Sequence, residues 1–184
     1  MSPLLPLALR LRGRPVVLVG AGRVAEAKLP ALLGAGAEVT VVAPQARPGF
    51  ARAPVTLVSR DFVPGDLDGA WLAVSAAPPE VNRQVVAAAE ARRIFVNAVD
   101  DPDSATAFAC GVVRRGEVAV AVSTGGAAPA LAGLLREALD ALLPEDLERW
   151  TALAAELRRG WREQGVAMER RRPLLLEALN RLYA

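Results

Sequence analysis

The stretch Pro15-Val16-Val17-Leu18-Val19-Gly20-Ala21-Gly22-Arg23-Val24-Ala25 decides the fold of this chain. Its first five residues are a short apolar run rich in β-branched side chains, which predicts a buried strand that stops at Gly20. From 24 to 33 the pattern is helical, and Gly34-Ala35-Gly36 ends it. Residues 38–43 form a second buried strand, closed by Pro44. Residues 15–43 are therefore one β-α-β unit, about 30 residues long as such units are.

The join between strand and helix reads Gly20-x-Gly22-x-x-Ala25. Gly20 permits a tight turn, Gly22 leaves the backbone open to a close ligand, and Ala25 lets helix pack on strand. Free N–H groups at the helix start then meet negative charge, so the loop predicts a dinucleotide site holding the pyrophosphate. The plainer alternative is a glycine turn needed only for packing. The second strand ought to end near an acid that holds a ribose, but here it runs into Ala43-Pro44-Gln45. Gln45 or backbone groups could substitute, and nearby Arg47 could instead favour a 2′-phosphate. The residues leave NAD against NADP open.

Further strands are expected at 55–59, 70–75 and 94–99, with a turn at 67–69 and a helix at 79–92 that carries Pro79 in its first turn. Strands alternating with helices predict an α/β fold with a parallel, doubly wound, Rossmann-type sheet. After Pro102 the rhythm changes. Residues 107–113 and 117–123 read as a hairpin turning at Arg114-Arg115-Gly116, followed by helices at about 128–142, 144–162 and 166–182. The expected organisation is a Rossmann domain at 1–106, a hairpin module at 107–143 and a C-terminal helical module at 144–184.

Composition narrows the chemistry. Of the 184 residues 53% are hydrophobic and only 4% aromatic, so the core must be Val, Leu and Ala, as suits a covered parallel sheet. A net charge of +2, with no basic stripe, argues against a nucleic-acid partner. The Arg170-Arg171-Arg172 run reads as a solvated helix face or as an anchor for an anion. There is no histidine, which excludes His-based metal sites and Ser-His-Asp or Cys-His catalysis, and no metal ligand set is expected. The single Cys110 cannot form a disulfide within the chain and reads as a small core residue of an apolar strand. No stretch suits a membrane span, and the apolar start at 1–11 lacks a basic n-region, so it reads as part of the fold rather than a signal peptide. A reducing cytoplasm is the expected compartment.

Asp100 is the candidate acid–base residue. It follows the fifth strand, at the sheet edge where open α/β folds bind ligands. Neighbouring Asp101 and Asp103 would repel its charge and raise its pKa, as suits proton transfer. Alternatively Asp100-Asp101-Pro102-Asp103 is merely a turn. Ser123-Thr124-Gly125-Gly126, between a strand and a helix, could offer hydroxyls and N–H groups to a substrate carboxylate, or could simply cap the helix.

Five stretches together carry a resemblance: 11–15 (LRGRP), 19–28 (VGAGRVAEAK), 95–102 (FVNAVDDP), 121–129 (AVSTGGAAP) and 134–139 (LLREAL). In this order, over nearly the whole chain, they resemble the precorrin-2 dehydrogenase and sirohydrochlorin ferrochelatase family, the N-terminal module of siroheme synthases. The resemblance implies NAD-dependent oxidation of the tetrapyrrole precorrin-2 to sirohydrochlorin. Asp100 matches the family's catalytic Asp. Arg23, Val24, Pro44 and Gln45, beside Gly20, Ala21 and Gly22, match its NAD-contacting positions, and Thr124 falls where some members carry a Ser beside the active site. Asn97 and the 123–126 loop would face the substrate, whose carboxylates call for arginines. The family is dimeric, and the hairpin would be its dimerisation element.

The chain departs from the family after its fourth strand. It has Ser75-Ala76-Ala77-Pro78-Pro79 where members usually read Ala-Ala-Thr-Asp-Asp, so cofactor contacts from Ser75 and Ala76 would be made through backbone. Some members also insert iron; with Fe2+ as substrate, Asp100 and its neighbours are the visible proton acceptors. Two other readings stand beside this one: an NAD-binding redox sensor or scaffold in which Asp100 is structural, and a dehydrogenase of a small metabolite. No helix-turn-helix flanked by basic residues supports the sensor.

Overall fold

In a computed structural model the described residues are 4–183. Met1-Ser2-Pro3, the first part of the apolar start, lies outside them. The described chain divides into two compact units, one comprising 4–109 with 125–127, the other 110–124 with 128–183.

The first unit is the parallel sheet. Its strands are β1 (Pro15–Val19), β2 (Glu38–Val42), β3 (Thr56–Val58), β4 (Leu72–Ser75) and β5 (Phe95–Ala98), in the order β3-β2-β1-β4-β5. All four pairings are parallel, and β1 is paired over its whole length from Pro15↔Glu38 to Val19↔Val42. Helix α1 (Arg23–Gly34) links β1 to β2, and α2 (Pro79–Ala91) links β4 to β5.

Because side chains alternate across a strand, β1 feeds two cores. Val16 and Leu18 join Ala25, Leu29 and Leu32 of α1 on one face. Val17 and Val19 join Val85, Ala88 and Ala89 of α2 on the other. The four Val and Leu residues of β1 are at most 4% exposed, which accounts for an uninterrupted apolar run where a half-exposed strand would alternate. The chain leaves β1 in one direction to β2 and β3, then returns to β4 and β5 on the other side. The C-terminal edge between β1 and β4 is thus a topological switch point, where such sheets bind ligands.

Beyond β5 the structure departs from the expected strand at 107–113. The N–H groups of Thr106 and Ala107 both donate to Val96 O, and Val96 N–H donates to Thr106 Oγ1. This segment saturates the open side of β5 instead of starting a hairpin. The antiparallel pair belongs to the second unit and is β6 (Gly111–Arg115) with β7 (Val118–Val122), so Arg114 and Arg115 are strand and the turn falls at Gly116-Glu117. Cys110 precedes β6 and is exposed, not a core residue. The unit continues with α3 (Pro129–Leu142), α4 (Leu147–Glu163) and α5 (Met168–Asn180). Tyr183 ties the last turn to α4: its OH accepts from Trp150 Nε1 at 2.5 Å and lies 3.1 Å from an oxygen of Asp146. No helix among the described residues is long and apolar enough to cross a membrane.

Candidate functional site

The turn from β1 into α1 is fixed by backbone. Gly20 N–H donates to Val42 O and Ala76 N–H to Val19 O, so the ends of β1, β2 and β4 are tied at one level. Gly20 has φ +96° and packs against the Ala76–Ala77 peptide. Gly22 is the N-cap of α1, and no side chain caps the helix.

A cavity of about 470 Å³ opens here. Gly20, Ala21 and Gly22 line it from β1, Pro44 and Gln45 from the end of β2, and Ala76 from the end of β4. Arg23 and Val24, the other two positions expected at the cofactor, are exposed in the first turn of α1 and are not part of this lining.

The cavity fits a dinucleotide. A Cβ on Gly22 would meet nothing within 4 Å, so open space lies against the backbone where a pyrophosphate must approach. The uncapped start of α1 supplies N–H donors and the positive end of a helix dipole.

Ser75 sits under this site rather than in it. It is fully buried, and its hydroxyl donates to Asn82 Oδ1 at 2.5 Å. The same oxygen accepts Ala77 N–H at 3.1 Å, so Asn82 holds the loop that forms one wall. Sequence reasoning missed Asn82. The signal was available: it is the polar member of the buried stripe Asn82, Val85, Ala88, Ala89 on α2.

Asp100 lies just past β5 on the same sheet edge, with an exposed side chain. With strands about 4.8 Å apart, β5 stands roughly 10 Å from β1, within the span of a bound dinucleotide. Asp100 adopts φ 58°, a left-handed conformation that Asp tolerates better than most residues. Asp101 does the turn-forming work, its Oδ1 accepting Ser104 N–H at 3.3 Å. Asn97 Nδ2 donates to Ala107 O at 2.9 Å, so its amide nitrogen is already engaged.

The loop 123–126 is shared between the units. Gly125 and Gly126 belong to the first, where a Cβ on Gly126 would come within 2.9 Å of Pro102 Cβ, beside the Asp100 turn. Ser123 and Thr124 belong to the second, and Thr124 Oγ1 accepts Ala128 N–H at 3.2 Å at the start of α3.

Two charged groups were not singled out from sequence. Lys28, the chain's one lysine, is half-buried on α1; burial holds its pKa below the ordinary value, and the charge of Asp100 acts in the opposite sense. Asp61, beyond β3, lines the same cavity as Gln45. Arg47, the candidate for a 2′-phosphate, is instead bonded to Glu26 at 2.6 Å.

Several known proteins are similar to this chain. A family described as "Putative NAD(P)-binding" matches residues 7–111, and one described as "Sirohaem biosynthesis protein central" matches 115–142. Siroheme synthase 3 of Aeromonas hydrophila is 43% identical over 173 residues, which are 91% of this chain and 37% of that protein. Siroheme synthase 2 of Klebsiella pneumoniae is 44% identical over 173 residues, 91% of this chain and 38% of that one. The chain thus spans less than two fifths of the length of these curated relatives. A solved structure of "SirC, precorrin-2 dehydrogenase" superposes with a TM-score of 0.72 at 26% identity, covering 95% of this chain and 88% of that one. The chain belongs to the family described as putative NAD(P)-binding, whose model covers more than half of it, and it is similar to siroheme synthases and to a precorrin-2 dehydrogenase.

Proposed function

We propose that this chain oxidises precorrin-2 to sirohydrochlorin with NAD+. The observation that carries the reading is one sheet edge bearing both a dinucleotide-sized cavity at β1 and β2 and a carboxylate past β5. When bound, NAD+ supplies the hydride acceptor, so the macrocycle loses a hydride to it and a proton elsewhere. Asp100 takes that proton. Gly20, Ala21 and Gly22 hold the pyrophosphate on the start of α1, Pro44 and Gln45 border the adenosine, and Asn82 fixes the Ala76–Ala77 wall. Asn97 and Gly125-Gly126, which belong to the same unit as Asp100, face the substrate.

The second unit supports a homodimer. Among its described residues only Val113 and Leu147 are buried hydrophobics, while Leu131, Leu134, Leu135 and Leu142 of α3 are exposed. A two-stranded hairpin with so little core is marginal alone. A second copy covers this face, making the β6–β7 hairpin and α3 the dimerisation module and 144–184 a helical appendage to it.

Anaerobic incubation of the purified chain with NAD+ and precorrin-2 tests the activity. The sirohydrochlorin spectrum appears if the reading is right. Nucleotide binding with no change in the macrocycle would favour the sensor or small-metabolite reading, and a sedimentation mass of one chain would remove the dimer.

A further inference from the structure

We infer that Asp61 sets the choice of cofactor: its carboxylate receives the adenosine ribose hydroxyls of NAD+ and repels the 2′-phosphate of NADP+. This rests on the nucleotide reading of the cavity given above. The sequence places no acid at the end of β2, where a ribose acid is expected, because Ala43-Pro44-Gln45 stands there. The sheet supplies one from the next strand. β3 pairs with β2, with Val42↔Val58 in register and Ala43 N–H donating to Val58 O, so the chain beyond Val58 runs beside Pro44 and Gln45.

Phe62 is 8% exposed in the core under α2 and anchors the loop, while Asp61 beside it is exposed at the rim. With pyrophosphate on the β1–α1 turn, β2 and β3 form the side of the sheet away from β4, β5 and Asp100, which is the adenosine side. Among the described residues no donor is bonded to the Asp61 carboxylate, so it is available to a ligand. The arginines close to it in sequence are not. Arg60 makes a two-pronged pair with Asp66, at 2.8 and 2.5 Å, and Arg47 is paired with Glu26. A 2′-phosphate would therefore meet a free carboxylate and guanidinium groups already neutralised, and a ribose diol would meet an acceptor.

The test is equilibrium binding of NAD+ and NADP+ to the full chain by calorimetry, for wild type, Asp61→Asn and Asp61→Ser, with thermal melts of each. Wild type is expected to prefer NAD+. In both variants the preference should fall by roughly tenfold or more, as loss of a charged hydrogen-bond acceptor predicts, with unchanged melting. Equal binding of both nucleotides by wild type, or an unaltered preference in folded variants, overturns the role of Asp61 alone. Failure of wild type to bind either nucleotide overturns the cavity reading together with it.

Discussion

An alanine at Gly20 would place its methyl carbon against the Ala76 carbonyl, 2.8 Å from the carbonyl carbon, and 3.2 Å from Ala77 N. These are backbone atoms, and they are held: Ala76 N–H is bonded to Val19 O, and Ala77 N–H to Asn82. The φ of +96° adds a left-handed penalty of about 1–2 kcal/mol for a residue with a Cβ. Overpacking adds about 1–3 kcal/mol, so Gly20→Ala should cost about 2–5 kcal/mol of a total that is itself only about 5–15. Gly22→Ala separates folding from binding. Its φ is −83° and a Cβ meets nothing, so the fold should lose only about 0.5 kcal/mol at the N-cap. The same methyl would occupy the approach of the pyrophosphate, and NAD+ should bind at least about tenfold more weakly, or about 1.4 kcal/mol. Urea unfolding followed by circular dichroism, paired with nucleotide titration, reads both. Gly20→Ala within about 1 kcal/mol of wild type, or Gly22→Ala with unchanged affinity, would refute the reasoning.

Three further perturbations follow from the same structure. Asp100→Asn keeps a side chain that tolerates the left-handed backbone, so it should bind NAD+ as wild type does while turnover falls about 10²–10⁴-fold, the span of a lost general base; a small effect on rate would make Asp100 structural. Ser75→Ala removes a buried hydroxyl from Asn82 and should cost about 1 kcal/mol in urea unfolding, whereas no cost would mean that the pair adds nothing to the wall of the cavity. The Asp66 carboxyl is held below its ordinary 3.8, first by the Arg60 hydrogen bond and further by Val63 N–H and the Arg60 charge, against an opposing effect of burial. Its contribution is present above about pH 3.8 and is lost as pH falls through the lower folded-state value, so the stability gap between wild type and Asp66→Asn should close in acid and stay constant near neutrality.

The β1–α1–β2 unit was legible to within a residue or two because its signals are local: an apolar strand, a glycine turn and a helical period. The same holds for β4, α2 and β5. Residues 107–110 were misread as strand because an apolar string looks alike whether it pairs in a hairpin or folds across the edge of β5, and that edge is made by residues ten positions away. Cys110 went with it. In the site, the glycine loop and the end of β2 were visible as a motif, since they flank a single unit. Asp61 was not, because only the pairing of β3 against β2 brings residue 61 into the cavity that residue 45 lines. Ser75 looked like a cofactor contact from its place at the end of β4, but strand alternation turns it inward to Asn82.

The most direct measurement follows NADH and sirohydrochlorin together, anaerobically, from precorrin-2 and limiting NAD+, with wild type and Asp100→Asn side by side. Wild type should form the two products in equal amounts and with one time course, while the variant binds NAD+ and forms neither at a comparable rate. Sirohydrochlorin appearing without NADH, or equal rates in both proteins, would contradict a dehydrogenase that works through this cavity and this carboxylate.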